Sequence, residues 1–167
     1  MEDLPINIRL ACANDFEAVS SLLTQSCPVL LKARYAEETL KRVLPLITRC
    51  QPALLTSGTY YVAEREGVLV AAGGWTWNAP GGGVGPVDLA HIRHVVTDHR
   101  LVRQGIGRQL MGRALAEGAM AGVRAFSCFS TLTAEPFYKA LGFRTVGTVD
   151  IRLEPGNFMA AVEMRRP

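Results

Sequence analysis

The sequence predicts an α/β fold of the α+β type: a mixed, mostly antiparallel central sheet of about seven strands, with a central parallel pair and helices on both faces. Three observations carry that expectation. Segments of strand and helix period follow one another as strand, two helices, three strands, helix, strand, helix and two strands. Two β-rich runs, "TYYVAER" and "VLVAAGGWTW", are separated only by "EG", as in an antiparallel hairpin. A strand, a crossover helix and a strand in the middle of the chain predict the parallel pair.

Taken in order, "INIRLACA" alternates apolar and polar residues as a strand does, and Asn14 or Asp15 can cap a helix through "FEAVSSLLTQSC", with Pro28 beyond its end. "AEETLKRVLPLITRC" reads as a second helix with acidic residues in its first turn, ended or kinked at Pro45. The hairpin follows. "NAPGGGVGPVD" is too rich in Gly and Pro for regular structure and is expected to be a mobile loop, and "LAHIRHVVT" is a further strand. A glycine turn opens a helix from about Gly105 to Ala121, "RAFSCFST" is a strand, and "AEPFYKALGF" is a short helix ended by Gly142. The closing strands lie in "RTVGTVDIRL" and "NFMAAVEMRR".

Composition bounds the function. The 167 residues, 49% hydrophobic and 20% charged, suit one compact domain over residues 1–167. The opening "MEDLPINIRL" lacks the basic region and apolar run of a secretory signal, and no apolar stretch reaches the roughly 20 residues of a spanning helix. A cytoplasmic protein without a membrane partner is expected. Cys12, Cys27, Cys50 and Cys128 are far apart without a C-x-x-C pair, which fits reduced, mostly buried thiols better than a disulfide frame or a zinc site. The net charge of +3 comes from scattered Lys and Arg, too diffuse for a nucleic-acid footprint but compatible with a small anionic ligand.

The stretch "RQGIGRQLMGRALAEG" places Gly105 and Gly107 at the mouth of a helix. Such a pair serves either a tight turn or an anion that must approach unshielded N–H groups at the positive end of the helix dipole. "GIGRQL" has no Gly-Lys-Ser/Thr for a Walker A loop, and Leu110 stands where a dinucleotide fingerprint needs its third glycine. What remains is a strand, a glycine turn and a helix N-terminus whose amides can cradle a pyrophosphate, with Arg103 and Arg108 adding positive charge.

"HIRHVVTDHRLVRQGIGRQLMGRAL", followed by "STLTAEPFYKALGF", resembles the GNAT superfamily of acyl-CoA-dependent N-acyltransferases. The first stretch is similar to the family's acyl-CoA-binding strand, loop and helix, and the second to its alanine-x-x-x-tyrosine-x-x-x-glycine-phenylalanine signature. The resemblance implies an acetyltransferase that uses acetyl-CoA as cosubstrate and no metal. It implies that the pyrophosphate lies on Val102, Arg103, Gln104, Gly105, Ile106, Gly107 and Arg108, and that amides around Val95, Val96 and Thr97 hold the pantetheine arm and polarise the thioester carbonyl. One place departs from the pattern: Val102 stands where the family usually has Arg or Gln, with Arg103 next to it and Arg100 two before it. A binding module that keeps the CoA cleft without turnover is therefore the alternative.

Acyl transfer needs a deprotonated amine, a held thioester, a stabilised oxyanion and a proton for the departing thiolate. The resemblance gives the first task to His91, fourteen residues before Gly105, and the last to Tyr138 of "PFYKALGF". Their competing readings are a packed surface histidine with a water chain as base, and a tyrosine that only covers Phe137, Leu141 and Phe143. Strand alternation sends His91, Arg93, Val95 and Thr97 to one face and Ile92, His94 and Val96 to the other, which makes His94 structural and argues against zinc on His91, His94 and His99. Arg93 is either solvated or binds an acidic group on the acceptor. Cys128, in a strand without an evident His partner, reads as a small buried apolar residue rather than an acyl carrier. Tyr35, Trp75, Trp77 and the loop from Asn78 to Asp88 are candidates to line the acceptor pocket, and the tryptophan pair reads equally as substrate wall or core. The partner is a small-molecule or peptide amine that the sequence does not name, and the chain is a candidate homodimer.

Overall fold

The structure, a computed structural model, describes residues 4–80, 85–154 and 156–167. Its strands are β1 Asn7–Leu10, β2 Tyr60–Arg65, β3 Val68–Thr76, β4 Leu89–Thr97, β5 Ala125–Thr131, β6 Arg144–Glu154 and β7 Asn157–Arg166. They form one 7-stranded sheet in the order β1-β2-β3-β4-β5-β7-β6. Only the pair β4 and β5 is parallel, as the crossover predicts. The β2–β3 turn holds Glu66 at φ 51° and Gly67 at φ 77°, the left-handed pair that lets a two-residue connection follow the twist of its strands.

The helices are α1 Phe16–Leu31, α2 Glu37–Ile47, α3 Pro52–Leu55, α4 Ile106–Met120 and α5 Glu135–Ala140. Helix α4 covers one face of the sheet, where Ile106, Leu110, Met111 and Ala114 pack with Tyr61, Trp75, Ile92 and Phe126, and Tyr138 and Phe143 of the α5 region close that core. Helix α1 covers the other face through Val19, Leu22 and Leu23 against Tyr60, Val62, Ala72 and Val96. Beside it Leu40 and Val43 of α2 pack with Tyr35 and Met159. No helix among the described residues is long and apolar enough to cross a membrane.

Two local expectations are corrected and a third, at Pro45, is narrowed. Pro28 lies inside α1, which runs on to Leu31. The missing amide costs about 3 kcal/mol. Val19, Leu22, Leu23 and Leu31 are all buried, and at roughly 1.5–3 kcal/mol for each such side chain their burial outweighs that cost. Likewise α2 passes Pro45 and ends at Ile47, where the Thr48 N–H and hydroxyl both donate to the Leu44 carbonyl. Neither Asn14 nor Asp15 caps α1 with its side chain, because Ala13–Asp15 form a 3₁₀ turn. The Asp15 carboxylate instead accepts the Cys12 N–H at 2.8 Å and two Arg9 N–H groups at 2.8 and 2.9 Å. The short helix α3 starts at Pro52, whose missing amide costs nothing in a first turn. All four cysteines are free, with Cys50 and Cys128 buried, Cys27 half-buried and Cys12 exposed.

Candidate functional site

The site begins with an irregularity in β4. Its register with β3 runs Thr76↔His91, Trp75↔Ile92 and Gly74↔Arg93, then slips to Ala72↔Val96 and Ala71↔Thr97. One residue of β4 is therefore extra, and His94 takes a left-handed φ of 44°. A bulge resets the alternation of side chains. Ala90 and Ile92 point to the α4 core, so His91 and Arg93 point away from it. Beyond the bulge Val95 packs with the α4 core, Thr97 lies against Gly107 of α4, and Val96 joins the α1 core. The expectation that His91, Arg93, Val95 and Thr97 share one face is thus overturned. Half-buried His94 is held neutral, its pKa lowered to about 4 by burial and then by the charge on Arg93.

The parallel pair stops early. Its register is Leu89↔Ala125, Ala90↔Phe126 and His91↔Ser127, although β4 continues to Thr97 and β5 to Thr131. Past His91 the β5-facing backbone groups of β4 have no strand partner among the described residues, and the two strands part to leave a cleft. Tyr60 Oη reaches the bulge and donates to the His94 carbonyl at 2.7 Å.

The unpaired end of β4 leads to the N-terminus of α4, where Thr97 lies against Gly107. Gln109 donates to the Gly105 carbonyl at 3.0 Å, the first bond of the helical ladder, so the amides of Gly105, Ile106, Gly107 and Arg108 stand outside it. Gly105 has φ 81° and open space where a Cβ would stand. Gly107 differs: a Cβ there would meet Thr97 Oγ1 at 3.0 Å and the Phe137 ring at 3.2 Å. Its lack of a side chain therefore lets α4 close on β4 and α5, rather than opening the turn to an anion.

Val102, Arg103, Gln104 and Arg108 are exposed around this turn. Arg100 is not free to replace the side chain that Val102 lacks, since its amide, Nε and Nη2 donate to the Asp98 carboxylate at 2.9, 3.1 and 2.8 Å. A residue that sequence reasoning missed also reaches the turn: Arg65 Nη1 donates to Gln104 Oε1 at 3.2 Å. Only the antiparallel register of β2, β3 and β4 brings it there. These unpaired amides, the open Gly105 and the exposed cations are a donor set that suits a pyrophosphate.

His91 lies at the closed end of the cleft, 9% exposed, with Nε2 buried and unpartnered among the described residues. Gly85 lies against it, 3.7 Å from Nε2 measured from the position of a Cβ. Burial lowers the imidazole's pKa, and the charges of Arg165 and Arg93 lower it further. Tyr138, 6% exposed, stacks edge-on against Phe137 and Phe143 at 5.1 and 5.4 Å. Burial raises its pKa well above the ordinary value, as do Cys128 and Tyr60, the neighbours that flank the cleft. Cys128 is itself pushed up to about 12 by burial and is no nucleophile.

Among the residues considered for an acceptor, Trp75 is core at 2% exposure, whereas Trp77, set edge-on to it at 5.4 Å, is 44% exposed. Tyr35 spends its hydroxyl on the backbone, donating to Ala160 O at 2.7 Å and accepting from Leu132 N at 2.8 Å. Part of the loop from Asn78 to Asp88, residues 81–84, lies outside the described residues. No group of three potential metal ligands occurs among the described residues.

The family model for an acetyltransferase (GNAT) domain matches residues 34–156. The chain belongs to the GNAT acetyltransferase family. No curated protein matches the sequence significantly. Solved structures share the fold of this GNAT chain at low identity. One is PaiA N-acetyltransferase from Thermoplasma acidophilum in complex with coenzyme A, 14% identical over 98% of this chain and 99% of that one, with a TM-score of 0.73. Another is the ribosomal-protein-S18-alanine N-acetyltransferase from Escherichia coli, 17% identical over 98% and 94%, with a TM-score of 0.66. A third is N-acetylglutamate synthase from Neisseria gonorrhoeae complexed with coenzyme A and N-acetyl-glutamate, 16% identical over 99% of this chain but 35% of that one, with a TM-score of 0.61.

Proposed function

We propose that this chain, a single cytoplasmic GNAT domain over residues 1–167, transfers the acetyl group of acetyl-CoA directly to a primary amine of a small molecule or peptide. The observation that carries the reading is the parallel pair that ends at His91↔Ser127, beyond which β4 leads to the unpaired amides of α4. In it the pyrophosphate lies on the turn from Val102 to Arg108, and the pantetheine arm follows β4 past Val95, Val96 and Thr97. The His91 Nε2, without a partner among the described residues and neutral at physiological pH, takes the proton of the incoming amine directly or through water. The amine attacks the thioester carbonyl, the C–S bond breaks, and the Tyr138 hydroxyl gives its proton to the thiolate. Structures that share the fold bear on the choice of cosubstrate and acceptor: two of them hold coenzyme A, and one of these also holds N-acetyl-glutamate.

Release of free thiol from acetyl-CoA over a panel of amines, with CoA affinity measured on the same preparation, tests the reading. Thiol release that requires an amine supports it. Binding of CoA without turnover on any amine favours instead a regulatory CoA-binding module, a second reading kept by exposed Val102 and by Arg100 being tied to Asp98. Arg103→Ala with Arg108→Ala should weaken CoA binding by up to about tenfold, and less so at high salt. Unchanged affinity in that variant would move the pyrophosphate elsewhere.

A further inference from the structure

We propose that the acceptor carries a carboxylate beside its amine, as a free amino acid does, and that Arg93 and Arg165 hold it over the sheet face that bears His91. The proposal rests on the acetyltransferase reading above. Ser127 stands in register with His91 on one side and with Arg165 on the other. Neighbouring strands are about 4.8 Å apart, so Arg165 comes from a backbone position about 10 Å across the sheet from His91, with Arg93 about 7 Å along β4. All four side chains leave the sheet on the side away from α4, as do Phe129 and Glu163.

This face carries more positive charge than its own acids answer. Arg93 Nη1 donates to Thr76 Oγ1 at 3.2 Å and Nη2 to Gln51 Oε1 at 3.0 Å, both neutral partners, and no carboxylate forms a salt bridge with it among the described residues. Half-buried, it is a cation already drawn partly out of water, and burial pulls its pKa below the ordinary value. Arg165 meets one carboxylate, Glu163, at 3.7 Å, which is long beside the roughly 2.7–2.9 Å of a charge-assisted hydrogen bond. Between the two lies His91, whose buried Nε2 has no hydrogen-bond partner among the described residues. An ammonium or amine beside a carboxylate answers all three. A polyamine would place further positive charge between two arginines, and this face repels it.

The test uses free L-methionine, L-phenylalanine and L-serine, each against its α-carboxamide, which keeps the amine and removes the anion. Hydrogen bonds to a charged group are worth about 1.5–3 kcal/mol, so kcat/KM for the amino acid should exceed that for its amide by roughly ten- to a hundredfold. Arg93→Gln with Arg165→Gln should abolish that preference while leaving CoA affinity unchanged. Equal or better turnover of the amides overturns the proposal and leaves the acetyltransferase reading standing. Calorimetric binding of the same pairs to CoA-loaded protein separates the two ideas. Preferential binding of the amino acid without any transfer supports this proposal and overturns turnover, whereas equal binding, or none at millimolar concentration, overturns the proposal.

Discussion

At the scale of single residues, the chemistry depends on proton affinities that packing has moved. The proposed base, His91, can take a proton only when neutral, so kcat/KM should fall as pH drops through its pKa, and burial with two arginine neighbours puts that limb below the ordinary 6.5. Arg165→Gln removes one of the charges that lower it, so the acidic limb should move upward in pH. A limb that stays in place in Arg165→Gln, or survives in His91→Ala, would assign the base elsewhere. His91→Ala should itself cost about 10²- to 10⁴-fold in rate near neutrality. Tyr138 keeps its proton throughout the working range because its pKa lies well above 10. Tyr138→Phe keeps the ring between Phe137 and Phe143 and removes only the donor, so turnover should fall at least about tenfold while thermal midpoint and CoA affinity hold. The reverse pattern, with lowered stability and intact turnover per folded molecule, would mean a structural tyrosine.

At the scale of elements, the glycine turn is held from behind by α1. The hydroxyl of Ser26, 1% exposed, accepts the His99 N–H at 3.2 Å, in the 3₁₀ turn between β4 and the glycines. Ser26→Ala leaves that amide unpaired at a cost of about 1–3 kcal/mol, which in a chain of this size lowers the melting temperature by roughly 2–9 °C. It should also weaken CoA binding without altering the pH profile; a variant with wild-type CoA affinity would show that the turn keeps its shape unaided. The elements themselves were largely legible. β4 and β7 span the segments read as strands, and "EG" specifies its own hairpin. What misled was local grammar overridden by packing, as at Pro28, where burial outweighs the missing amide. The β4 bulge left only a faint trace. "LAHIRHVVT" breaks its alternation at Arg93 and His94, two polar residues in a row, and the slip against β3 shows that one residue there is extra. Arg165 could not be connected with His91 either, since no sequence signal puts β7 between β5 and β6.

At the scale of the molecule, buried groups of opposite type divide acid unfolding into two windows. A histidine whose folded pKa lies below its unfolded value binds fewer protons folded than unfolded between the two, so stability falls as pH drops through that interval. For His94 the interval runs from about 6.5 down to about 4, and the full loss is at most roughly 3 kcal/mol. His91 adds to it in the same direction. Asp15 is the opposite case: its pair with Arg9 lowers the carboxyl to about 2, so its contribution is present above about 3.8 and is lost from there down to about 2. Urea midpoints should therefore decline in two steps as pH falls, the first below about 6.5 and the second below about 3.8. His94→Asn is the discriminating variant, because asparagine accepts the left-handed backbone at the bulge and does not titrate. It should flatten most of the first step and leave the second, while Asp15→Asn should do the reverse and lower stability at neutral pH. An unchanged first step in His94→Asn would put the acid sensitivity outside the bulge, and with it the claim that β4 holds its irregular shape at the expense of an imidazole that cannot charge.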